Sequence, residues 1–310
     1  MLKRIIIIMG IRRSDNSYKI EKEINSLNEY IDFIKQEKEN YNGELWFRGQ
    51  RDSSWALEPT LFRNEKFNVT HDGIVTLHRK LGIDFIKELE LFKLFFENKD
   101  KRYNDFHYMF LGQHYGLKTP ALDWTTDPLV ALFFALYKYK KVNSPLVFIL
   151  HSEEINKYNR IILKKEGQIT KPLNIDYINN ANEEIKSWYA CKDNDNIFTW
   201  APLAVKSDVV KVLSQRISRQ SGVFTMMSPI PRLDKPWINH AFKENESIIC
   251  FGKVVSINCS KVEEIRNDLK ILDIYDKTIM LNDTEEIEKK CNEAISKATT
   301  NNSNAKDTEK

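Results

Sequence analysis

Cysteine is scarce in this sequence, and a strong net charge of either sign is absent. The 310 residues include four widely spaced cysteines, and no two of them form a Cys-x-x-Cys pair: Cys191, Cys250, Cys259 and Cys291. This spacing indicates neither a zinc site nor a disulfide framework, so free thiols in a reducing cytoplasm are expected. The net charge of +3 is too small to indicate a nucleic acid or a membrane as partner.

Motifs of well-characterised chemistry are missing as well. The chain has no Gly-x-Gly-x-x-Gly, no P-loop, no nucleophile-elbow serine and no His-Glu-x-x-His pair. The hydrophobic runs at 5–11 and 129–137 are too short to span a bilayer. We expect the first run to be a strand or a loosely held arm, because Arg12 and Arg13 end it and no cleavage site follows.

What the sequence does contain is an irregular alternation of helical and extended patterns. Hydrophobic residues make up 42% and charged residues 29%, as in a soluble globular protein. The alternation predicts a single α+β domain with a mixed or split β-sheet flanked by helices. Predicted helices lie at 18–40, 74–98, 183–188, 260–272 and 285–298, and a further one starts at 106–110 and leads into the stretch from Gly112; predicted extended segments lie at 45–47, 145–151, 202–208, 209–212, 223–226 and 248–257.

The stretch from Gly112 to Ala135 is the most informative part of the chain. Up to Trp124 it mixes large polar groups with glycine and proline, which is typical of a loop or strand. It then predicts a helix that begins at Pro128, with Thr125 or Thr126 as N-cap.

This predicted helix has two expected properties. Leu132 and Phe133 should be buried, because the apolar residues recur at helical spacing. The helix N-terminus, with its free N–H groups and positive dipole end, favours an anionic ligand, although ordinary capping explains the same residues.

Several side chains carry candidate chemistry at the residue level. Arg48 offers a planar fork suited to a diphosphate, but could also be a surface arginine or pair with Asp123 inside the protein. His114 could act as a general base or bind a ribose hydroxyl, and could equally be a core histidine. Tyr115 and Trp124 could stack on a base, although aromatic residues are more often core.

Three motifs in order closely resemble the FRG domain, a family named for its Phe-Arg-Gly triplet. They are Trp46-Phe-Arg-Gly-Gln50, Leu57-Glu-Pro-Thr-Leu-Phe-Arg63 and Gln113-His-Tyr-Gly-Leu through Leu-Asp-Trp-Thr to Ala135. Arg216-Ile to Gln220-Ser-Gly-Val-Phe-Thr225 resembles a later family segment more weakly, and Pro120 stands where the family often has arginine. The implied organisation is a 1–24 arm, a 25–272 FRG-type domain with its best match at 26–150 and an insertion at 152–199, a 273–298 helical segment and a 299–310 disordered tail.

A more distant resemblance is to ADP-ribosyltransferase folds, in which an early Arg or His contacts the nicotinamide half of NAD. It implies NAD as substrate and catalytic roles for Arg48, His114 and Gln220, the last as a neutral replacement for the family's usual glutamate. The implied ligand-binding residues are Arg48, Gln50, His114, Tyr115, Asp123, Trp124, Thr125 and Thr126, with no metal.

Three functional hypotheses follow. The first is an NAD-dependent ADP-ribosyltransferase or NAD glycohydrolase, acting on a protein or nucleic-acid acceptor as a bacterial toxin or phage-defence effector in the cytoplasm. The second is a non-catalytic domain that binds a nucleotide or a protein. The third is a structural module whose motifs only stabilise the fold.

Overall fold

The computed structural model describes seven parts of the chain: residues 18–63, 84–94, 103–141, 143–163, 171–177, 203–226 and 251–280. Predictions for the run at 5–11, the helices at 183–188 and 285–298 and the tail at 299–310 lie outside these residues. Of the helix predicted at 74–98, only 84–94 is described, and it is helical with Phe85, Leu89 and Phe92 buried.

One mixed sheet of eight strands forms the centre of the fold. The strands are β1 (Ile20–Ile24), β2 (Leu45–Gln50), β3 (Ala121–Thr125), β4 (Leu146–His151), β5 (Leu173–Asn174), β6 (Leu203–Lys206), β7 (Gly222–Met226) and β8 (Gly252–Ile257). Their order is β1-β8-β4-β2-β3-β7-β6-β5, and only β1–β8 and β5–β6 pair in parallel. The predicted α+β domain with a mixed sheet is confirmed.

Helices cover both faces of this sheet. They are α1 (Leu27–Asn40), α2 (84–94), α3 (Asp105–His114), α4 (Pro128–Leu136), α5 (Ser152–Leu163), α6 (Asp208–Leu213), α7 (Gln215–Arg219), α8 (Val262–Ile271) and α9 (Asp276–Ile279). One core packs α2 and α3 against the sheet, and a second packs α1, α4 and α8 against it.

Strand β2 separates the two cores by simple alternation. Leu45 and Phe47 belong to the core under α4, whereas Trp46 belongs to the core under α3. The same alternation assigns Gly49 to the α4 side and Arg48 to the α3 side. The Phe-Arg-Gly triplet therefore sends its phenylalanine and its arginine to opposite faces of the sheet.

Strands β2 and β3 touch at one pair only. Phe47 faces Thr125, and the register would next bring Gly49 opposite Asp123, but that pair is not formed. On its other side β2 pairs with β4 along its whole length, from Leu45–His151 to Gln50–Leu146. The sheet is thus continuous but opens between β2 and β3, just where Arg48 lies.

Helix α4 confirms the predicted burial and corrects the predicted N-cap. Leu132 and Phe133 are both buried. The N-cap is Asp127, whose carboxylate accepts hydrogen bonds from the N–H groups of Leu129 and Val130. Thr125 is the last residue of β3, so neither it nor Thr126 can begin the helix.

Three other predicted segments were wrong in type. Residues 20–24 form a strand rather than the start of a helix, because they pair with β8 and α1 begins only after its N-cap Ser26. Residues 209–212 lie in α6 rather than in an extended segment, because Ser207 caps that helix. Gln113 and His114 complete α3 rather than lying in a loop.

Gly49 lets α4 lie directly on β2. A Cβ atom added at Gly49 would stand 1.9 Å from the carbonyl oxygen of Ala131 and 2.4 Å from the amide nitrogen of Ala135. Both atoms belong to helix backbone, so no side-chain rotation can make room. The distance between helix and strand is therefore set by the missing side chain.

We expect Gly49→Ala to lower the free energy of unfolding by about 3 kcal/mol or more, because the helix as a whole must shift. Urea unfolding measures this change. The matched control is Gly43→Ala, whose new Cβ would have side-chain atoms of Tyr41 as its nearest neighbours instead of helix backbone, so we expect a smaller loss. Equal losses in the two variants would contradict the proposed backbone contact.

Candidate functional site

A chain of hydrogen bonds begins at the opening between β2 and β3. Arg48 Nη1 donates to the main-chain carbonyl of Asp123 at 2.5 Å. Gln113 Nε2 donates to the Asp123 carboxylate at 2.6 Å, and the Thr119 hydroxyl donates to the Gln113 side-chain oxygen. The guanidinium of Arg48 thus holds the backbone of Asp123, while Gln113 holds its side chain.

The series of hydrogen bonds continues into the loop that follows β2. The amide of Thr119 donates to the Thr60 hydroxyl at 3.1 Å, and the amide of Leu61 donates to the Thr119 carbonyl at 3.2 Å. Residues from all three motifs that carry the sequence resemblance are therefore connected. Such a connected polar network fixes the relative positions of its members.

His114 is the last residue of α3 and lies beside this network. After His114 the chain turns through Gly116, whose φ of 90° favours glycine, and the Leu117 amide donates back to the Gly112 carbonyl. His114 Nε2 then lies 4.0 Å from the Asp123 carboxylate.

His114 is neutral in this environment. Burial lowers the pKa of the His114 imidazole to about 4, with Asp123 opposing the effect and the charge of Arg216 adding to it. Its side chain is 9% exposed, against 50% for Asp123. At neutral pH the imidazole can therefore accept or donate a hydrogen bond, but it carries no charge.

Three arginines act on the titration of Arg48 and His114 or are themselves part of this site. Burial lowers the pKa of Arg48 to about 10, with Arg63 adding to the effect and Asp123 opposing it, so Arg48 stays charged at pH 7. The charge of Arg216 acts on His114. In the described part of the chain, Asp123 is the carboxylate whose charge acts on both Arg48 and His114.

Two of these arginines retain unused donors. The Nε atoms of Arg48 and Arg216 are both buried and have no hydrogen-bond partner among the described residues. A buried donor without a partner is uncommon in folded proteins and costs free energy. Both N–H groups can therefore donate to an acceptor that the described residues do not supply.

Arg216 was not a candidate site residue at the sequence level. It lies in the short helix α7, where an extended loop was expected, and its approach to His114 depends on tertiary packing. The one sequence feature that could have indicated Arg216 is its position at the start of the segment 216–225, which weakly resembles the family.

The remaining candidate residues have structural partners. Gln50 Nε2 donates to the carbonyls of Asp52 and Trp55, and Trp124 Nε1 donates to the Thr225 hydroxyl. Tyr115 is buried and packs near Phe92. The Thr125 hydroxyl accepts from the Asp127 amide, and the Thr126 amide donates to the Ser221 carbonyl.

Gln220 and the N-terminus of α4 differ from their expected arrangement. Gln220 Nε2 donates to the carbonyl of Ile279, and no described contact joins its side chain to Arg48 or His114. The first free N–H groups of α4 are bound by Asp127, so the helix does not offer them to an anion.

A second polar cluster resembles a catalytic triad in composition but serves as a helix cap. Asp176 accepts from the Ser207 hydroxyl and from the amides of Asp208 and Val209, and lies 2.8 Å from His107 Nε2. Its oxygens are therefore occupied at the start of α6. Within the described ranges, no group of three or more His, Cys, Asp or Glu residues could hold a metal, and no helix is long and apolar enough to cross a membrane.

The fold and site define an α+β protein with an arginine-rich polar centre at the opening of its sheet. Residues 43–144, about a third of the chain, match the FRG domain. No curated protein and no solved structure matched the chain. The resemblance to ADP-ribosyltransferase folds therefore remains an expectation.

The structure explains why phenylalanine, arginine and glycine occupy the three positions of the Phe-Arg-Gly triplet. Phe47 is fully buried in the core under α4, Arg48 fixes Asp123 across the opening, and Gly49 admits the backbone of α4. Each residue type is required for a different reason.

We expect His114 to make the protein less stable in acid. Its pKa is about 4 in the folded protein and about 6.5 when unfolded, so the unfolded state binds the proton more tightly. The contribution of neutral His114 is complete above about pH 6.5 and is lost as the pH falls towards about 4, by about 3 kcal/mol in all.

Urea unfolding of the wild type and of His114→Gln, from pH 8 down to pH 4.5, measures this loss. The difference at pH 8 reports packing alone and serves as the baseline. As the pH falls, the free energy of unfolding should decrease less in the variant than in the wild type. Parallel curves over the whole range would show that His114 is not the responsible group.

Proposed function

We propose that the site around Arg48, His114, Asp123 and Arg216 binds a phosphate-bearing nucleotide, NAD being the first candidate. The observation that supports this proposal is the pair of buried guanidinium Nε atoms without partners. Phosphate oxygens are strong acceptors that match the planar donors of arginine. A ligand of this class would satisfy both arginines at once.

Charge favours a diphosphate over a single carboxylate as the bound group. The charge of Arg63 acts on Arg48, and the charge of Arg216 acts on His114, so three arginines contribute positive charge to the site. The carbonyl and carboxylate of Asp123 are already bonded to Arg48 and Gln113. The excess positive charge is therefore left for the ligand.

The proposed reaction is cleavage of the bond between the nicotinamide nitrogen and ribose C1′ of NAD. The bond electrons pass to the nicotinamide ring, which leaves as the neutral base, and the ribose carbon develops positive charge. Water or an acceptor hydroxyl then forms the new bond to C1′ and releases its proton to solvent. The half-exposed carboxylate of Asp123 would stabilise the positive charge.

His114 is better suited to binding than to proton transfer. A general base works best with a pKa near the working pH, and a pKa of about 4 lies well below it. A neutral imidazole can hold a ribose hydroxyl instead. Asp123 thus takes the electrostatic role that the resemblance assigned to Gln220.

A non-catalytic nucleotide-binding module is the second candidate. The hydrogen bond from Gln113 to the Asp123 carboxylate favours this non-catalytic form. In a catalytic form, the same carboxylate would have to stabilise the ribose while it still accepts that bond. The biological setting that we propose, a bacterial toxin or phage-defence effector in the cytoplasm, belongs to the catalytic form. Overexpression toxicity that disappears in Arg48→Ala would support that setting.

We expect Arg48→Lys to weaken NAD binding by about tenfold or more, because lysine lacks the fork and cannot replace the buried Nε–H donor. Isothermal titration calorimetry measures the affinity. The matched control is Arg266→Lys on α8, whose guanidinium pairs with Glu263 at the surface and should leave binding unchanged. The proposal fails if the wild type does not bind NAD, or if both variants bind it equally well.

We expect Asp123→Asn to reduce nicotinamide release by about 100-fold while NAD binding is kept. Asparagine can still accept the hydrogen bond from Gln113, so the fold is preserved and only the charge is lost. Labelled NAD is incubated with each protein, alone and with protein, DNA and RNA as acceptors. Binding without turnover in the wild type would establish the non-catalytic form.

A further inference from the structure

Trp55 is a large aromatic side chain that remains exposed beside the site. Its relative exposure is 44%, and the guanidinium carbon of Arg51 lies 4.9 Å from its ring centroid. Such a contact is a cation–π interaction, which orients the two side chains relative to each other. An exposed tryptophan with an arginine over its ring offers both a flat apolar surface and a positive charge.

The turn that carries Trp55 is held in place by several hydrogen bonds. The Asp52 carboxylate accepts from the Ser54 amide at 2.9 Å, from the Ser54 hydroxyl at 2.6 Å and from Asn143 Nδ2 at 2.9 Å. The Trp55 amide donates to the Asp52 carbonyl at 3.2 Å. The ring therefore projects from a fixed backbone, which reduces the entropy lost when a ligand stacks on it.

The same turn is attached to the strand that carries Arg48. Gln50 Nε2 donates to the Trp55 carbonyl at 2.7 Å, and the Tyr18 hydroxyl donates to the same oxygen at 2.9 Å. Arg48 and Gln50 are two residues apart on β2, so they share a face of the strand and are separated by about 7 Å. The Trp55 carbonyl therefore lies against the side chain of Gln50, which is the next residue after Arg48 on the same face of β2.

We infer that Trp55 stacks against the base of a nucleotide whose phosphate is held by Arg48. This inference rests on the proposed function and adds to it the substrate class, a nucleoside diphosphate recognised by its base as well as by its phosphates. One sugar separates the base of a nucleotide from its first phosphate. A nucleotide can therefore place its phosphate at Arg48 and its base at Trp55, beyond Gln50 on the same face of β2. Stacking on tryptophan accepts any base, so this contact selects nucleotides over bare phosphates.

The test compares ADP with inorganic pyrophosphate, which has phosphates but no base. Calorimetry is carried out on the wild type, Trp55→Leu, Trp55→Phe and Arg48→Ala. We expect the wild type to bind ADP about tenfold more tightly than pyrophosphate. In Trp55→Leu this advantage should disappear while pyrophosphate binding is unchanged, and Trp55→Phe should keep most of it.

The outcomes separate the two proposals. If pyrophosphate does not bind, or binds equally well to Arg48→Ala, the phosphate site itself is wrong and the proposed function fails. If pyrophosphate binding depends on Arg48 but ADP binds no more tightly, the stacking inference alone is overturned. The same holds if Trp55→Leu leaves the preference for ADP intact or weakens both ligands equally.

Discussion

The contact between Gly49 and the backbone of α4 is the constraint on which the rest of the structure depends. Because no side chain separates them, strand β2 and helix α4 are held at a distance that only glycine permits. Alternation along the strand then directs Phe47 into the core beneath α4 and Arg48 to the opposite face. A single packing requirement thus determines on which side of the sheet the polar site is built.

The polar site follows from the way in which β2 leaves β3. Since the two strands share only the pair Phe47–Thr125, the carbonyl of Asp123 has no backbone partner on β2 and is bound by the side chain of Arg48 instead. This arrangement holds a charged guanidinium partly inside the protein. The hydrogen bond to the Asp123 carbonyl and the attraction of the Asp123 charge offset part of the cost of burying the guanidinium.

Local patterns in the sequence predicted the elements that packing does not override. The strand at 45–47, the helix from Pro128 and the burial of Leu132 and Phe133 depend on spacing within a few residues, and all were found. The gathering of Arg48, His114 and Asp123 could be anticipated because all three lie in motifs shared with one family. Residues that lie close together in the chain determine each of these features.

Features that depend on distant partners could not be predicted in this way. Residues 20–24 are charged and helix-like by composition, and only β8, far along the chain, makes them a strand. Asp127 displaced the expected threonine caps because β3 extends as far as Thr125. Arg216 joined the site, and Gln220 turned to Ile279, through packing of short C-terminal elements against each other.

The pairing of β1 with β8 also has a consequence for how the chain folds during synthesis. Strand β2 needs β4, β4 needs β8, and β8 in turn binds the early strand β1. The segment that matches the FRG domain ends before β4 begins, so it lacks a neighbour for one edge of β2. Strand β4 in turn lacks its β8 partner until Ile257 has emerged from the ribosome, and until then it presents an unpaired edge that can form unwanted contacts.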